Sequence, residues 1–313
     1  MSVNPWNEDR PKHFESIWLN STDVIEWIQR KTSKDPQLHW LNYSIDNYFG
    51  PAIGGPGAIK KRSEYRCLIL GASEGWMERR LCERGFQGEI IATDIADKAL
   101  KRAAEKAREK GYTNIRYEVA DLNTATFKGP FDYIIAEGVL HHIVEIERCL
   151  KMLSETLSPT GYMFAAEWEG PVRFQLPELQ VRWINAALNV LPKALRPIAV
   201  NGDGNFPGSA QENAICYYVP PSEQSVAEAD PSEAICGPRL KKAIADTFDI
   251  VERNPFGGTL LAYMTQHFDF QKANSDEFSR EWLKVLMHIE DTAIKTGILE
   301  DEYVFYVLRK KKG

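Results

Sequence analysis

Between Arg66 and Trp76 the chain passes from an unbroken apolar run, Cys67-Leu68-Ile69-Leu70, through Gly71-Ala72-Ser73-Glu74-Gly75 into a segment that reads as helix. Apolar at every position and closed by glycine, the run predicts a strand buried on both faces, as in a parallel sheet. A parallel strand that hands over to a helix through a glycine turn is where nucleotide-like ligands bind, because free backbone amides collect at the helix start. A second apolar run, Ile90-Ile91-Ala92-Thr93, ends on Asp94. A carboxylate there is placed to accept both hydroxyls of a ribose, so two strand ends address one ligand.

The dinucleotide fingerprint G-x-G-x-x-G, laid on Gly71, requires glycine at 73 and a small residue at 76, where the chain has Ser73 and Trp76. An indole where helix and strand pack closely disfavours a pyrophosphate turn. A nicotinamide-dependent oxidoreductase is therefore only a further alternative. A turn that needs glycine at 71 and 75 alone remains.

That pattern resembles motif I of the class I S-adenosylmethionine-dependent methyltransferases, and residues from about 64 to 170 continue the resemblance. Asp94 and Ile95 match the ribose-binding end of the second strand, and Val119-Ala120-Asp121-Leu122 matches the adenine-contacting acid and its neighbour. Phe131-Asp132-Tyr133-Ile134-Ile135-Ala136-Glu137-Gly138-Val139-Leu140-His141-His142 is similar to motif IV and the Leu-His-His that often follows it, and Leu157-Ser158-Pro159-Thr160-Gly161-Tyr162 to the turn into the fifth strand. Glu167-Trp168-Glu169-Gly170-Pro171-Val172-Arg173-Phe174-Gln175 resembles bacterial members acting on small molecules. The resemblance implies a Rossmann-like methyltransferase fold: α/β, a mostly parallel seven-stranded sheet with helices on both faces, the last strand antiparallel. It also implies S-adenosyl-L-methionine as cofactor and S-adenosyl-L-homocysteine as product. Two positions depart from the pattern. Ile69 stands where the family usually carries an acid, and Ser73 replaces the middle glycine, which keeps open a catalytically silent fold that binds a partner.

The expected cofactor contacts are Gly71, Ala72, Ser73, Gly75, Asp94, Ile95, Asp121, Leu122 and Glu137. Asp94 also has a bland role as a helix N-cap, and Asp121 as a turn residue bonding its own backbone. Methyl transfer from a sulfonium needs a nucleophile held close and aligned, and a hydroxyl nucleophile must also lose a proton. His141, His142 and Glu167 are the expected catalytic groups, since imidazole accepts protons near neutrality. Glu169 and Arg173 are the expected acceptor-binding pair. The adjacent histidines lack the i, i+4 spacing of a helical metal motif, so no metal is expected.

Five scattered cysteines without C-x-x-C spacing suit reduced thiols. No window approaches the ~18 apolar residues of a membrane span, and Met1–Glu8 is no secretory signal. The expected location is the cytoplasm. A net charge of −6 offers no general field for nucleic acid, so the expected partner is a small-molecule acceptor: a sugar, natural-product or lipid-precursor hydroxyl or amine. The 313 residues exceed the ~100–200 of one ordinary domain. Apolar spacing at Phe14, Ile17, Trp18, Val24, Ile25, Trp27 and Ile28 predicts helices before a Gly/Pro break at 50–57. The expected organisation is a helical lid and linker (1–57), a core (58–170), an inserted cap (171–238) and a C-terminal completion of the sheet (239–313).

Overall fold

The computed structural model describes residues 17–195, 217–265 and 267–311. Its centre is a seven-stranded sheet in the order β3-β2-β1-β4-β5-β7-β6. The strands are β1 (Arg66–Leu70), β2 (Glu89–Asp94), β3 (Ile115–Val119), β4 (Phe131–Glu137), β5 (Leu157–Trp168), β6 (Phe248–Gly257) and β7 (Tyr303–Lys310). The first five pair in parallel, and β7 runs antiparallel between β5 and β6. Nine α-helices stand among the described residues: α1 (Thr22–Thr32), α2 (Trp40–Tyr48), α3 (Trp76–Glu83), α4 (Asp97–Glu109), α5 (Ile146–Thr156), α6 (Glu178–Val190), α7 (Glu223–Ala229), α8 (Gly237–Thr247) and α9 (Glu277–Lys295).

Sequence and burial agree on why the sheet is ordered this way. Cys67 through Leu70 and Tyr133 through Ala136 are buried on both faces, since β1 and β4 lie centrally under two helical layers. Strand β3, at one edge, is half exposed. Strand β6, at the other, tolerates Pro255, which has no N–H to give to a further strand. The expected turn at Leu157–Gly161 is instead the start of β5, which pairs at Leu157 and, after an irregularity, again from Tyr162.

Two apolar layers enclose the sheet. One is built around Leu68, Ile134, Leu150 and Ile244, the other around Ile69, Phe49, Ile135 and Phe305. A third cluster joins Trp18 and Val24 of the N-terminal segment to Ile184 and Leu188 of α6 and Leu283 and Leu286 of α9. The lid and part of the insertion are thereby packed as one unit with α9. The expected helix at 13–16, Cys216, and residues 196–216 of the expected cap lie outside the described residues. No described helix is long and apolar enough to cross a membrane.

The end of the sheet is tied by buried carboxylates. Glu290 on α9 accepts from the amides of Gly258, Leu260 and Leu261 at 2.7–2.9 Å. Glu302 accepts from Trp168 Nε1 (3.1 Å), Gln180 Nε2 (2.6 Å) and the Tyr263 hydroxyl, joining β5, α6 and the loop after β6. Burial pushes the Glu302 carboxyl up to about 7, against the pull of those donors. Folding therefore takes up a proton here between the ordinary carboxylate range and about 7, and Glu302's contribution to stability is full at low pH and lost as pH rises through about 7. Glu302→Gln is expected to flatten the fall of thermal midpoint between about pH 5 and 7, read by calorimetry. A wild-type slope retained in the variant would show that Glu302 does not carry it.

Candidate active site

The turn after β1 is built on left-handed backbone at Gly71 (φ 68°), Ser73 (48°) and Gly75 (77°). A Cβ on Gly71 would stand 2.8 Å from Val139 Cβ, so only glycine lets the loop after β4 lie against this turn. The Ala72 amide donates to the Thr93 carbonyl at 2.9 Å, and the Ser73 amide to Asp94 Oδ2 at 2.8 Å, joining the ends of β1 and β2. Ala72 and Gly75, expected cofactor contacts, are not among the residues lining the adjoining cavity. Ala72 is buried, and a Cβ on Gly75 would meet Ala103 Cβ at 2.7 Å, so this glycine serves the packing of α3 on α4.

Above the carboxyl ends of β1, β2 and β4 lies a cavity of about 520 Å³, within the ordinary size of a ligand pocket. Gly71, Ser73, Asp94, Ile95, Asp121, Leu122 and Glu137 all face it. Asp94 Oδ1 accepts from the Ala96 amide (2.8 Å), so both its oxygens already hold backbone. Each carboxylate oxygen accepts more than one hydrogen bond, so a ligand can share them. Asp121 Oδ1 accepts from the backbone and side chain of Asn123 (2.9 and 3.0 Å), the turn role weighed from sequence, while still facing the cavity. Arg102, ion-paired with Glu74 at 2.6 Å, also lines it.

The loop after β4 is pinned from β5. Glu167 Oε1 accepts from the amides of Val139 and Leu140, both at 2.9 Å, and Oε2 from His141 Nδ1 at 3.0 Å. Occupied on both oxygens and fully buried, Glu167 holds the loop and the His141 ring in place. Burial pulls His141 down, but the hydrogen bond and charge of Glu167, with Glu233 and Asp230 nearby, leave its imidazole above the ordinary histidine value. His142 Nδ1 lies 3.2 Å from Ser232 Oγ, which donates to Asp230 Oδ1 at 2.8 Å.

A second cavity, about 650 Å³, opens beside the first. Its walls are mainly apolar and aromatic, among them Trp18, Ile28 and Trp40 from the lid, Trp168 and Phe256 from the sheet, and Phe174 from the insertion. His141, Glu167 and Glu233 line it as well, and Glu137, Gly138 and His142 face both cavities. Glu137 accepts from the indoles of Trp40 (3.3 Å) and Trp76 (3.1 Å). Burial pushes its carboxyl up to about 7, although both indole donors favour the ionised form. His39, at the start of α2, is held neutral at about 4 by burial and by Arg80, and packs edge-on against Trp76 at 5.3 Å.

Two expected acceptor-binding residues lie elsewhere. Glu169 accepts from the Tyr306 hydroxyl (2.6 Å) and Arg253 (3.2 Å), and faces neither cavity. Arg173 spends its guanidinium on the carbonyls of Asp230 and Glu233 (both 3.0 Å) and Pro231 (2.6 Å), with its amide on Ala234 O (2.8 Å). It holds the turn that brings Ser232 and Glu233 to the histidine pair. Sequence reasoning missed Trp40, Ser232 and Glu233, which reach the site from the lid and the insertion. Trp76 was visible only as an obstacle to a pyrophosphate.

With this geometry in hand, comparison with known proteins is informative. Residues 61–193 match the model of a family described as a methyltransferase domain. Over 167 residues, 52% of this chain, it is 29% identical to a ubiquinone/menaquinone biosynthesis C-methyltransferase of Idiomarina loihiensis, covering 61% of that protein. Its Yersinia pestis counterpart is 31% identical over 135 residues, 42% of this chain and 53% of that protein. The chain thus spans about half to three-fifths of the length of the curated relatives it matches. Among solved structures, a Haemonchus contortus phosphoethanolamine N-methyltransferase 2 in complex with S-adenosyl-L-methionine aligns over 99% of this chain and 61% of that one (TM-score 0.48, 15% identity). An S-adenosylmethionine-dependent methyltransferase of Mesorhizobium loti aligns over 80% and 94% (TM-score 0.45, 17% identity). The matched region, residues 61–193, is thus a methyltransferase domain, in line with the resemblance carried by its motifs.

Removing the Arg173 guanidinium leaves three turn carbonyls without that donor. Arg173→Ala is expected to lower stability by about 1–3 kcal/mol in denaturant unfolding, the usual cost of stranding such groups. Unchanged stability would show that the turn holds itself.

Proposed function

We propose that the chain transfers a methyl group from S-adenosylmethionine, held in the first cavity, to a small acceptor held in the second. The observation that carries this reading is the shared wall: Glu137, Gly138 and His142 face both cavities, so a donor on one side meets an acceptor on the other. The residues fit the cofactor. Gly71 leaves space that a side chain would fill, Asp94 and Asp121 offer carboxylates to ribose and adenine, and Ile95 and Leu122 offer apolar contact to the base. When bound, S-adenosylmethionine supplies a methyl group from a sulfonium to a nucleophile.

The chain's own part is to bind, orient and exclude water. Trp18, Ile28 and Trp40 roof the acceptor cavity, and a closed apolar site replaces solvent by fixed protein groups. His141 and His142 address the acceptor's nucleophilic atom, with Glu167 orienting the first and the Ser232–Asp230 pair the second. The aromatic walls favour a natural product or lipid precursor with an apolar body over a free sugar. The names of the matched relatives, ubiquinone/menaquinone biosynthesis C-methyltransferases, support an acceptor bearing a ring. Free thiols at Cys67, Cys82, Cys149 and Cys236 favour the cytoplasm as its place of work.

Asp94→Ala is expected to weaken S-adenosylmethionine at least about tenfold in calorimetric titration, since hydrogen bonds to a charged acceptor are worth ~1.5–3 kcal/mol each. Equal affinity would overturn the ribose assignment, and no binding by the folded wild type would return the silent-fold reading. Glu137 gives a second test. In the free protein its carboxyl takes a proton below about 7, whereas a cationic ligand favours the ionised form. Affinity for S-adenosylmethionine is therefore expected to fall as pH drops below about 7, and to fall less for S-adenosylhomocysteine, which lacks the sulfonium charge. Glu137→Gln should remove the difference between the two slopes. Parallel slopes in the wild type would place Glu137 away from the sulfonium.

A further inference from the structure

We propose that His141, His142 and Glu233 form a binding site for a divalent transition-metal ion at the acceptor side of the shared wall. One ligand atom from each lies within 4.8 Å of the others. His141 Nε2 and Glu233 Oε1 are 3.6 Å apart, close to the ~3.4 Å edge of a tetrahedron with metal–ligand bonds of ~2.1 Å. The imidazole rings lie side by side, with centroids 4.2 Å apart and a tilt of 36°.

The surroundings support the same assignment. A metal-bound imidazole ordinarily gives its second nitrogen to a carboxylate, directly or through a hydroxyl, which fixes the ring and raises its basicity. Both histidines have that arrangement: His141 Nδ1 on Glu167, and His142 Nδ1 on Ser232, which is bonded to Asp230. His141 thereby presents Nε2 to Glu233. The two imidazoles sit among Glu167, Asp230 and Glu233, an excess of negative charge that a dication offsets. Two nitrogens and one carboxylate oxygen suit zinc, iron(II), manganese(II) or cobalt(II) better than calcium or magnesium. Local spacing predicted no metal motif because the third ligand comes from the insertion, delivered by the turn that Arg173 holds.

All three residues line the second cavity, so an open coordination position there faces the acceptor. This deepens the proposed function, on which it rests: the acceptor class becomes a molecule with a hydroxyl or enol oxygen beside its apolar body, the oxygen completing the ion's coordination.

The test titrates cobalt(II) and zinc(II) into the full chain after stripping with chelator, following the cobalt visible absorption and the heat of binding. One ion per chain with low-coordinate cobalt bands is expected, weakened at least tenfold in Glu233→Gln and in His142→Asn. S-Adenosylmethionine titrated into the stripped wild type and into Glu233→Gln, whose changed residue does not line the first cavity, reports the fold and the cofactor site separately. Retained cofactor binding without any metal binding, or metal binding indifferent to both substitutions, would overturn the site. Loss of cofactor binding by the wild type would instead strike the methyltransferase reading, and metal binding in that case would still support the site.

Discussion

The carboxylate of Glu167 is the constraint on which the geometry of the site depends. A carboxylate in a dry interior is tolerated only when its oxygens are occupied, and Glu167 meets that demand with two consecutive amides of the loop after β4 and the ring of His141. The loop cannot then drift from the end of β5. Its Val139 is thereby pressed against the turn after β1, where only a glycine at 71 leaves room. The same bonds place Gly138 and His142 between the two cavities. One buried acid therefore sets the donor side and the acceptor side relative to each other.

The insertion works by the same logic at longer range. Arg173 gathers the carbonyls of residues 230, 231 and 233, and the Ile235 amide donates to the His141 carbonyl at 3.1 Å. Backbone groups that would otherwise need water are satisfied within the protein, and the turn becomes a rigid carrier for Ser232 and Glu233. The lid is fixed by apolar packing of Trp18 and Val24 against α6 and α9 together with bonds from Trp27 Nε1 (3.1 Å) and Lys31 Nζ (2.7 Å) to Asp291 on α9.

These constraints explain what was legible in the chain. Strands β1, β2 and β4 can be read almost to the residue, because burial on two faces demands continuous apolar runs, and the half-exposed edge strand β3 shows the alternation of Ile115, Tyr117 and Val119 instead. Asp94, Asp121 and Glu137 follow from strand ends, and all face the first cavity. Glu169 and Arg173 are engaged away from the two cavities for a common reason. A charged residue beside a site looks functional in one dimension, yet Glu169 finds Tyr306 and Arg253 on the sheet, and Arg173 finds carbonyls far along the chain. Trp40 and Glu233 were invisible because no local periodicity records a contact between segments so distant in sequence.

The departure at Ile69 acquires a physical account once Glu137 is located. Ile69 is buried in the apolar layer with Ala72, Met77 and Leu100, where an ionised acid would be costly unless hydrogen-bonded. In register with Ile69 on the neighbouring strand stands Ile135, two residues before Glu137. On the proposed reading, the negative charge facing the cofactor is carried by β4 instead of β1 and displaced toward the acceptor. There it is held by two indole donors, Trp76 from the turn helix and Trp40 from the lid. Trp40 also walls the second cavity, so one lid indole both donates to this carboxylate and faces the acceptor side. On that reading, the charge that suits a sulfonium is held by an element that also walls the acceptor cavity.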